Sequence, residues 1–422
     1  MDTLTHPQRE RAEEADSPAA WLRLGAAVLI ATIAGVGMWS VVVALPAVQA
    51  EFGVARADAA LPHTLSMIGY AFGGVAMGRL TDRYGIVRPT IGGILALGLG
   101  YVLAGAVAKN LTQFALVYCV LIGAGSSVTL GPLMADLSNW FERRRGVAMA
   151  LVAASNYFAG ALWPPLIQHF IAVDGWRATH VGIGILCVAT TLPLVFLLRR
   201  KPEMRRATAA EARAVQAQRA LPLSRTALQV LLCVAGLACC VAMSMPQVHI
   251  VAYCGDLGYG VARGAEMLSL MLTCGIVSRI ASGFLADRIG GLATLLIGSV
   301  LQGTALTLYL FFNGLVSLYV ISALFGFFQG GIVPMYAVIV RDYFPPREIG
   351  TRLGLVLMAT LFGMALGGWM SGAVFDLTGS YRAAFINGIA WNLLNVGIVC
   401  FLLWSVTRST RESASAYTSV RA

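Results

Sequence analysis

Apolar stretches recur along almost the whole chain, at about 24–48, 60–78, 90–107, 112–137, 147–172, 179–198, 227–251, 264–284, 291–311, 315–340, 352–375 and 382–406. A helix crosses a bilayer in about 20 residues, so twelve spans of roughly 22 use about 264 of the 422 residues and leave room only for short connections and tails. Charged residues make up 12% of the chain and hydrophobic ones 58%, with a mean hydropathy of +0.76. A soluble domain carries about 25% charged residues, so that class is excluded. Val28 to Val36 and Leu192 to Leu198 run continuously apolar, without the period-two alternation of a membrane barrel strand. The expected fold is an all-α integral membrane protein of twelve transmembrane helices in two pseudo-symmetric halves of six.

The distribution of charge orients such a chain. Of the 30 basic residues, 28 are Arg, and Lys109 and Lys201 are the two lysines. With both termini on one side, that side receives 24 basic residues and the other five: Arg56, Lys109, Arg177, Arg263 and Arg382. Basic loops stay inside, so both termini are expected in the cytoplasm of a multi-pass protein of the cell (inner) membrane. The net charge of +10 is spread over loops, with no soluble surface to gather a nucleic-acid-binding patch, so nucleic acid is excluded as a partner. Residues 1–20 lack an apolar core with a cleavage site and read as a cytoplasmic tail. Halves of 21–198 and 226–406 then flank an Arg-rich linker at 199–225, whose Met204 to Arg219 segment suits either a surface helix or disorder, and 407–422 form a second tail. The eight cysteines lie mostly in apolar runs without metal-ligand spacing.

Two octets repeat within this frame. Gly78-Arg-Leu-Thr-Asp82-Arg83-Tyr-Gly85 and Gly283-Phe-Leu-Ala-Asp287-Arg288-Ile-Gly290 agree at five of eight positions, lie 205 residues apart and each follow the second span of a half. Glycine lets helix ends approach, and the aspartate can bond a neighbouring helix N-terminus or an arginine, a contact made in one conformation and broken in another. A second repeat joins Gly69, Gly73, Gly74 and Gly78 to Gly363, Gly367, Gly368 and Gly372, identically spaced on the second and eleventh spans. Such stripes serve either sliding between helices or static packing.

Both octets resemble the GxLaDRxG loop of the major facilitator superfamily and are expected to be conformational-switch loops, and the twelve-span, two-half layout covers nearly the whole chain. Trp140-Phe141-Glu-Arg143-Arg144-Arg145-Gly146-Val-Ala148, then Pro164-Pro165 and Gly175-Trp176-Arg177, are similar to the pattern of monocarboxylate transporters and their bacterial oxalate/formate-antiporter-like relatives. Asp376 to Tyr381 also looks like bacterial members. The resemblance implies a transporter working by alternating access, with the second and eleventh helices facing each other across the halves.

Arg279 stands in the middle of the eighth span, eight residues and about 12 Å from Asp287. Placing it there costs about 2.5–3.5 kcal/mol, so it needs a partner or a water-filled cavity. Its helical neighbours Gly275, Ser278, Ser282 and Gly283 are small, and a guanidinium fork suits a carboxylate. The resemblance agrees, because the family carries an arginine on this helix that holds the substrate carboxylate. The departures are equally specific. Where animal-type members have an aspartate four residues earlier, this chain has Gly275; the first span lacks the family's lysine; and no lysine lies between Leu353 and Phe375, where oxalate-type antiporters hold a second carboxylate. One cation implies one carboxylate, and the usual proton-coupling residues are missing.

The remaining expected substrate-binding residues are Asn156 and Tyr157, at a cavity-lining part of the fifth span by resemblance, with Gln247, His249, Tyr70 and Tyr336. An imidazole ordinarily titrates near neutral pH, so His249 and His63 read either as proton acceptors or as satisfied interfacial histidines. Tyr70, Gln329, Tyr336 and Asn392 also suit helix-to-helix hydrogen bonds. Asp136 and Asp342, near helix ends, are expected to pair with loop arginines.

The sequence thus points to a secondary transporter of a small organic monocarboxylate, monomeric, with H+ as the candidate coupling ion, the lipid bilayer as its medium, and no cofactor or metal. The alternatives are an exporter of amphiphilic drugs and, from another class, a membrane receptor or intramembrane enzyme. No GxxxxGK(S/T), HExxH or GxSxG motif supports ATP drive or hydrolysis.

Overall fold

The computed structural model describes residues 17–421 except 130, 138–139, 142–143, 200–222 and 346–347. The segment Met204 to Arg219 and most of the expected linker lie outside the described residues, as does most of the N-terminal tail. Every regular element among the described residues is helical, since in lipid a helix satisfies its own backbone polar groups.

Among the described residues, ten stretches are long and apolar enough to cross a membrane: Pro18–Phe52, Val87–Ala106, Leu111–Leu137, Val147–Leu198, Arg225–Asp256, Val261–Ile289, Gly291–Phe311, Leu315–Tyr343, Ile349–Thr378 and Tyr381–Arg408. Two local facts bring this to the expected twelve. Val147–Leu198 is two spans, because Gly175 leaves helical geometry with φ 77° and ψ 161°. The helix Arg56–Tyr84, 29 residues long, is the second span; its charge-free middle is thinned by Pro62, His63, Thr64, Ser66, Tyr70 and several glycines.

Sequence sets the ends of these helices. Ser17 caps the first through a bond from the Ala20 amide, with Pro18 behind it where no amide donor is needed. Asn110 accepts from the Gln113 amide while Gln113 accepts from the Lys109 amide, a reciprocal cap at the fourth span. Gly85 and Gly290 end the two octets with nearly the same backbone, φ 76° and ψ 170° against φ 86° and ψ 162°. Gly175 shares this region, which only glycine occupies without strain. The octets are therefore helical up to Tyr84 and Ile289, and the turn resides in the closing glycine.

By backbone contacts the chain forms two compact units. The first comprises Met1–Arg205 with Val251–Thr273. Its end formed by the seventh and eighth spans is fixed by an ion pair of Arg56 with Asp256 at 3.1 Å, by a bond from the Ser269 hydroxyl to the Ala161 carbonyl, and by Leu272 lying where a Cβ on Gly160 would fall. One core cluster of this unit gathers Leu24, Ile30, Ile94, Leu133, Phe141 and Val152. The second unit comprises Arg206–Ile250 with Cys274–Ala422, and its core gathers Leu232, Met243, Leu295, Ile339, Phe344 and Leu402.

The glycine stripes act within these units. A Cβ at Gly69 would fall on the Cys119 carbonyl and one at Gly73 on Ala124, so this part of the second span packs on the fourth. Gly363 and Gly367 likewise meet the backbone of Leu237 and Val241 on the seventh span. These four positions are tight packing rather than free sliding surface, while Gly74 and Gly78 face open space.

Candidate functional site

The eighth span carries Arg279 half-buried on a face of small residues, and that face is clamped to a break in the tenth span. The tenth span is interrupted between Gln329 and Ile332, at Gly330 and Gly331. A Cβ on Gly330 would meet the backbone of Gly275, so the two helices touch backbone to backbone one turn from Arg279. The Gly331 amide, freed by the break, donates to the Ser278 hydroxyl at 3.1 Å, and the Ser282 hydroxyl bonds the Arg279 carbonyl at 3.0 Å. The guanidinium thus rises from a stretch of helix held against the tenth span.

The other expected residues of the second unit are buried. His249 donates from Nε2 to the Gly368 carbonyl at 2.8 Å, and its Nδ1 accepts from the Tyr381 hydroxyl at 3.2 Å. It ties the seventh span to the eleventh and twelfth. Gln247 lies two residues earlier on the same span, 2% exposed. Tyr336 donates to Asn395 at 3.4 Å, joining the tenth and twelfth spans, and Asn395 donates to Ser299 at 2.7 Å.

Asn156, Tyr157 and Tyr70 belong to the first unit. The Asn156 carbonyl accepts from the Trp39 indole at 3.1 Å, while its Oδ1 is a buried acceptor with no donor. Tyr157 and Tyr70 are buried. Asp82, Arg83, Asp287 and Arg288 are all exposed at the helix ends, beside Gly78, Gly85, Gly283 and Gly290.

Sequence reasoning missed a polar network at the centre of the first unit. His180 donates from Nδ1 to the Trp176 carbonyl at 2.7 Å and accepts at Nε2 from the Tyr118 hydroxyl at 2.7 Å. Ser40 links Tyr118, at 3.1 Å, to Tyr101, at 2.6 Å. Tyr118 opens a π-helical turn, Tyr118–Gly123, in the fourth span. The available signal was a histidine one helical turn after Trp176.

The motifs that carried the family resemblance have structural work here. Trp176 and Arg177 both bind Glu51 of the first span, at 2.5 and 2.7 Å, and Arg177 donates to the Ala108 carbonyl at 2.9 Å. Trp140 lies under the Arg23 guanidinium at 4.8 Å, and Phe141 packs edge-on against Trp21.

A family model, Major Facilitator Superfamily, matches residues 27–317 and 256–419. Monocarboxylate transporter 13 of Rattus norvegicus is 31% identical over 357 residues, which span 82% of this chain and 80% of that protein. The aspyridones efflux protein apdF of Emericella nidulans is 23% identical over 74% of this chain and 62% of its own length. Among solved structures, a bacterial homologue of the human lysosomal transporter Spinster, inward-facing and unoccupied, superposes with a TM-score of 0.66 at 15% identity, covering 93% of this chain and 96% of that one. A twelve-helix membrane transporter is the class that fold and sequence define. The chain belongs to the major facilitator superfamily and is similar to its monocarboxylate transporters.

Proposed function

We propose that this transporter moves a small organic monocarboxylate by alternating access, with Arg279 holding the carboxylate. The observation that carries the reading is the placement of Arg279: a half-buried arginine at mid-span, on a helix face stripped to Gly275, Ser278 and Ser282 and fixed by the Gly330–Gly331 break. A guanidinium fork fixed on a rigid backbone suits a planar carboxylate, which it can hold through two parallel hydrogen bonds. The 31% identity to monocarboxylate transporter 13 supports the same class. Both termini are cytoplasmic in this reading, supported by the 24-to-5 division of basic residues, the functional unit is a monomer in the cell membrane, and H+ is the candidate coupling ion. The octets around Asp82 and Asp287 serve the conformational cycle.

Uptake of labelled lactate, pyruvate and formate by wild type, Arg279→Lys and Arg279→Ala tests the assignment. Lysine keeps the charge but loses the fork, so affinity falls. Alanine removes a charge-assisted bond of about 1.5–3 kcal/mol, a loss of roughly 10- to 150-fold. Unchanged uptake in Arg279→Ala overturns the reading. The second reading, efflux of an amphiphile, is favoured by the similarity to the aspyridones efflux protein, and predicts substrate-dependent resistance that survives Arg279→Ala.

A further inference from the structure

Two cavities occupy equivalent places in the repeats. The first, about 280 Å³, is lined by Met77, Leu80 and Tyr84 of the second span and Arg88, Pro89 and Gly92 of the third. The second, about 120 Å³, includes Ser282 and Leu285 of the eighth span and Thr294 and Ile297 of the ninth. Shifting 77, 80, 89 and 92 by the 205-residue offset of the octets gives 282, 285, 294 and 297. The grooves are therefore one feature of the repeat. They differ in chemistry: position 88 is Arg where position 293 is Ala, and Phe327 and Phe328 of the tenth span close in on the second groove.

The first groove is open on an apolar face. Arg88, Gly92, Leu95 and Leu99 follow one another at helical spacing along the third span and are all exposed, Leu95 by 47% and Leu99 by 53%. On a chain that spans a bilayer, an exposed apolar helix face is a lipid-facing face. Arg88 stands in the first turn of that span, at the membrane surface on the side of the basic loops. Arg79 and Arg83 share its hairpin and are exposed, against the single acid Asp82. A cation at the water-facing mouth and an apolar track rising from it match a phosphate joined to an acyl chain, and the excess of arginine favours a headgroup with net negative charge.

We propose that this groove binds an anionic phospholipid of the leaflet facing the basic loops, with its phosphate on Arg88 and one acyl chain along Met77, Leu80, Gly92, Leu95 and Leu99. The two contacts are separable. A Cβ on Gly92 would meet nothing within 4 Å, so Gly92→Leu fills the groove without disturbing the helix packing. Arg88→Ala removes the charge and leaves the groove.

Delipidated, detergent-purified protein is titrated with phosphatidylglycerol and with phosphatidylcholine, and bound lipid is counted by native mass spectrometry alongside the melting temperature. Phosphatidylglycerol should bind and stabilise more than phosphatidylcholine. Arg88→Ala should weaken it about fivefold, the effect of one basic residue near an anionic lipid surface. Gly92→Leu should weaken both lipids, and Arg341→Ala, an exposed arginine on the tenth span, should change nothing. Equal binding by wild type, Arg88→Ala and Gly92→Leu overturns the proposal. Stabilisation by inorganic phosphate or glycerol 3-phosphate equal to that by the lipid overturns it too, since the apolar track would then contribute nothing. Melting of each variant without lipid establishes that it is folded.

Discussion

Arg23 and Asp136 meet edge to edge at the end of the first and fourth spans, Nε to Oδ2 at 2.8 Å and Nη2 to Oδ1 at 2.9 Å, with side chains 3% and 8% exposed. The partner of Asp136 is thus a residue of the first helix and not one of the loop arginines expected from sequence. Trp140 stacks on the guanidinium and completes the enclosure.

Removing one member of a buried pair strands the other charge, at about 3–5 kcal/mol. Asp136→Ala should therefore lower the melting temperature sharply in detergent. The double variant Arg23→Met with Asp136→Leu should recover much of the loss, because apolar replacement of the whole pair leaves no charge to desolvate. Additive losses in the double variant would show that the pair is not coupled.

The glycine turns give a second prediction. Gly175 sits at φ 77° and ψ 161°, and a Cβ there meets nothing within 4 Å, so any cost of Gly175→Ala is purely conformational. That region costs a non-glycine residue about 1–3 kcal/mol. Gly182→Ala, within the sixth helix and also in open space, should be neutral or stabilising, because glycine is the weaker helix former. Comparing the two melting curves isolates the turn.

Much of this was legible in the sequence, because a bilayer allows few solutions. The apolar runs, the repeat of Asp82 and Asp287 and the basic asymmetry all follow from one-dimensional composition. The second span shows the limit: Pro62, His63, Thr64, Ser66 and its glycines thin the apolar run at 60–78, and the repeat strengthens the assignment. The partners of Asp136, Trp176 and Arg177 were not legible, because they lie 69 to 126 residues away along the chain. His180 was missed for the same reason, since its hydroxyl partner Tyr118 is 62 residues distant. His249 was visible as a polar residue in a span, but its two bonds to Gly368 and Tyr381 depend on how three helices pack.

Asp82 is exposed in the last turn of its helix, beside a glycine turn and away from the packed face. If the octet serves the conformational cycle, Asp82→Asn should slow maximal transport while leaving the apparent substrate affinity nearly unchanged, since it removes a charge at constant size. Uptake measured across substrate concentrations separates the two. A large affinity loss at normal maximal rate would place Asp82 in recognition instead.

Substrate charge is the last expectation, and it follows from what the eleventh span lacks. From Leu353 to Phe375 that span carries no basic residue, so a second carboxylate would meet no cation there. Burying an uncompensated carboxylate at membrane depth costs several kcal/mol, whereas a monoanion on Arg279 is balanced by one fork. Formate, lactate and pyruvate should therefore compete with labelled monocarboxylate better than oxalate or malonate of similar size, in membrane vesicles at a pH where all are ionised. Arg279→Lys should weaken every monoanion without improving any dianion, because it changes geometry and not charge. Preferential inhibition by dianions in wild type would mean that a second cation reaches the substrate, and the single-carboxylate arrangement around Arg279 would be wrong.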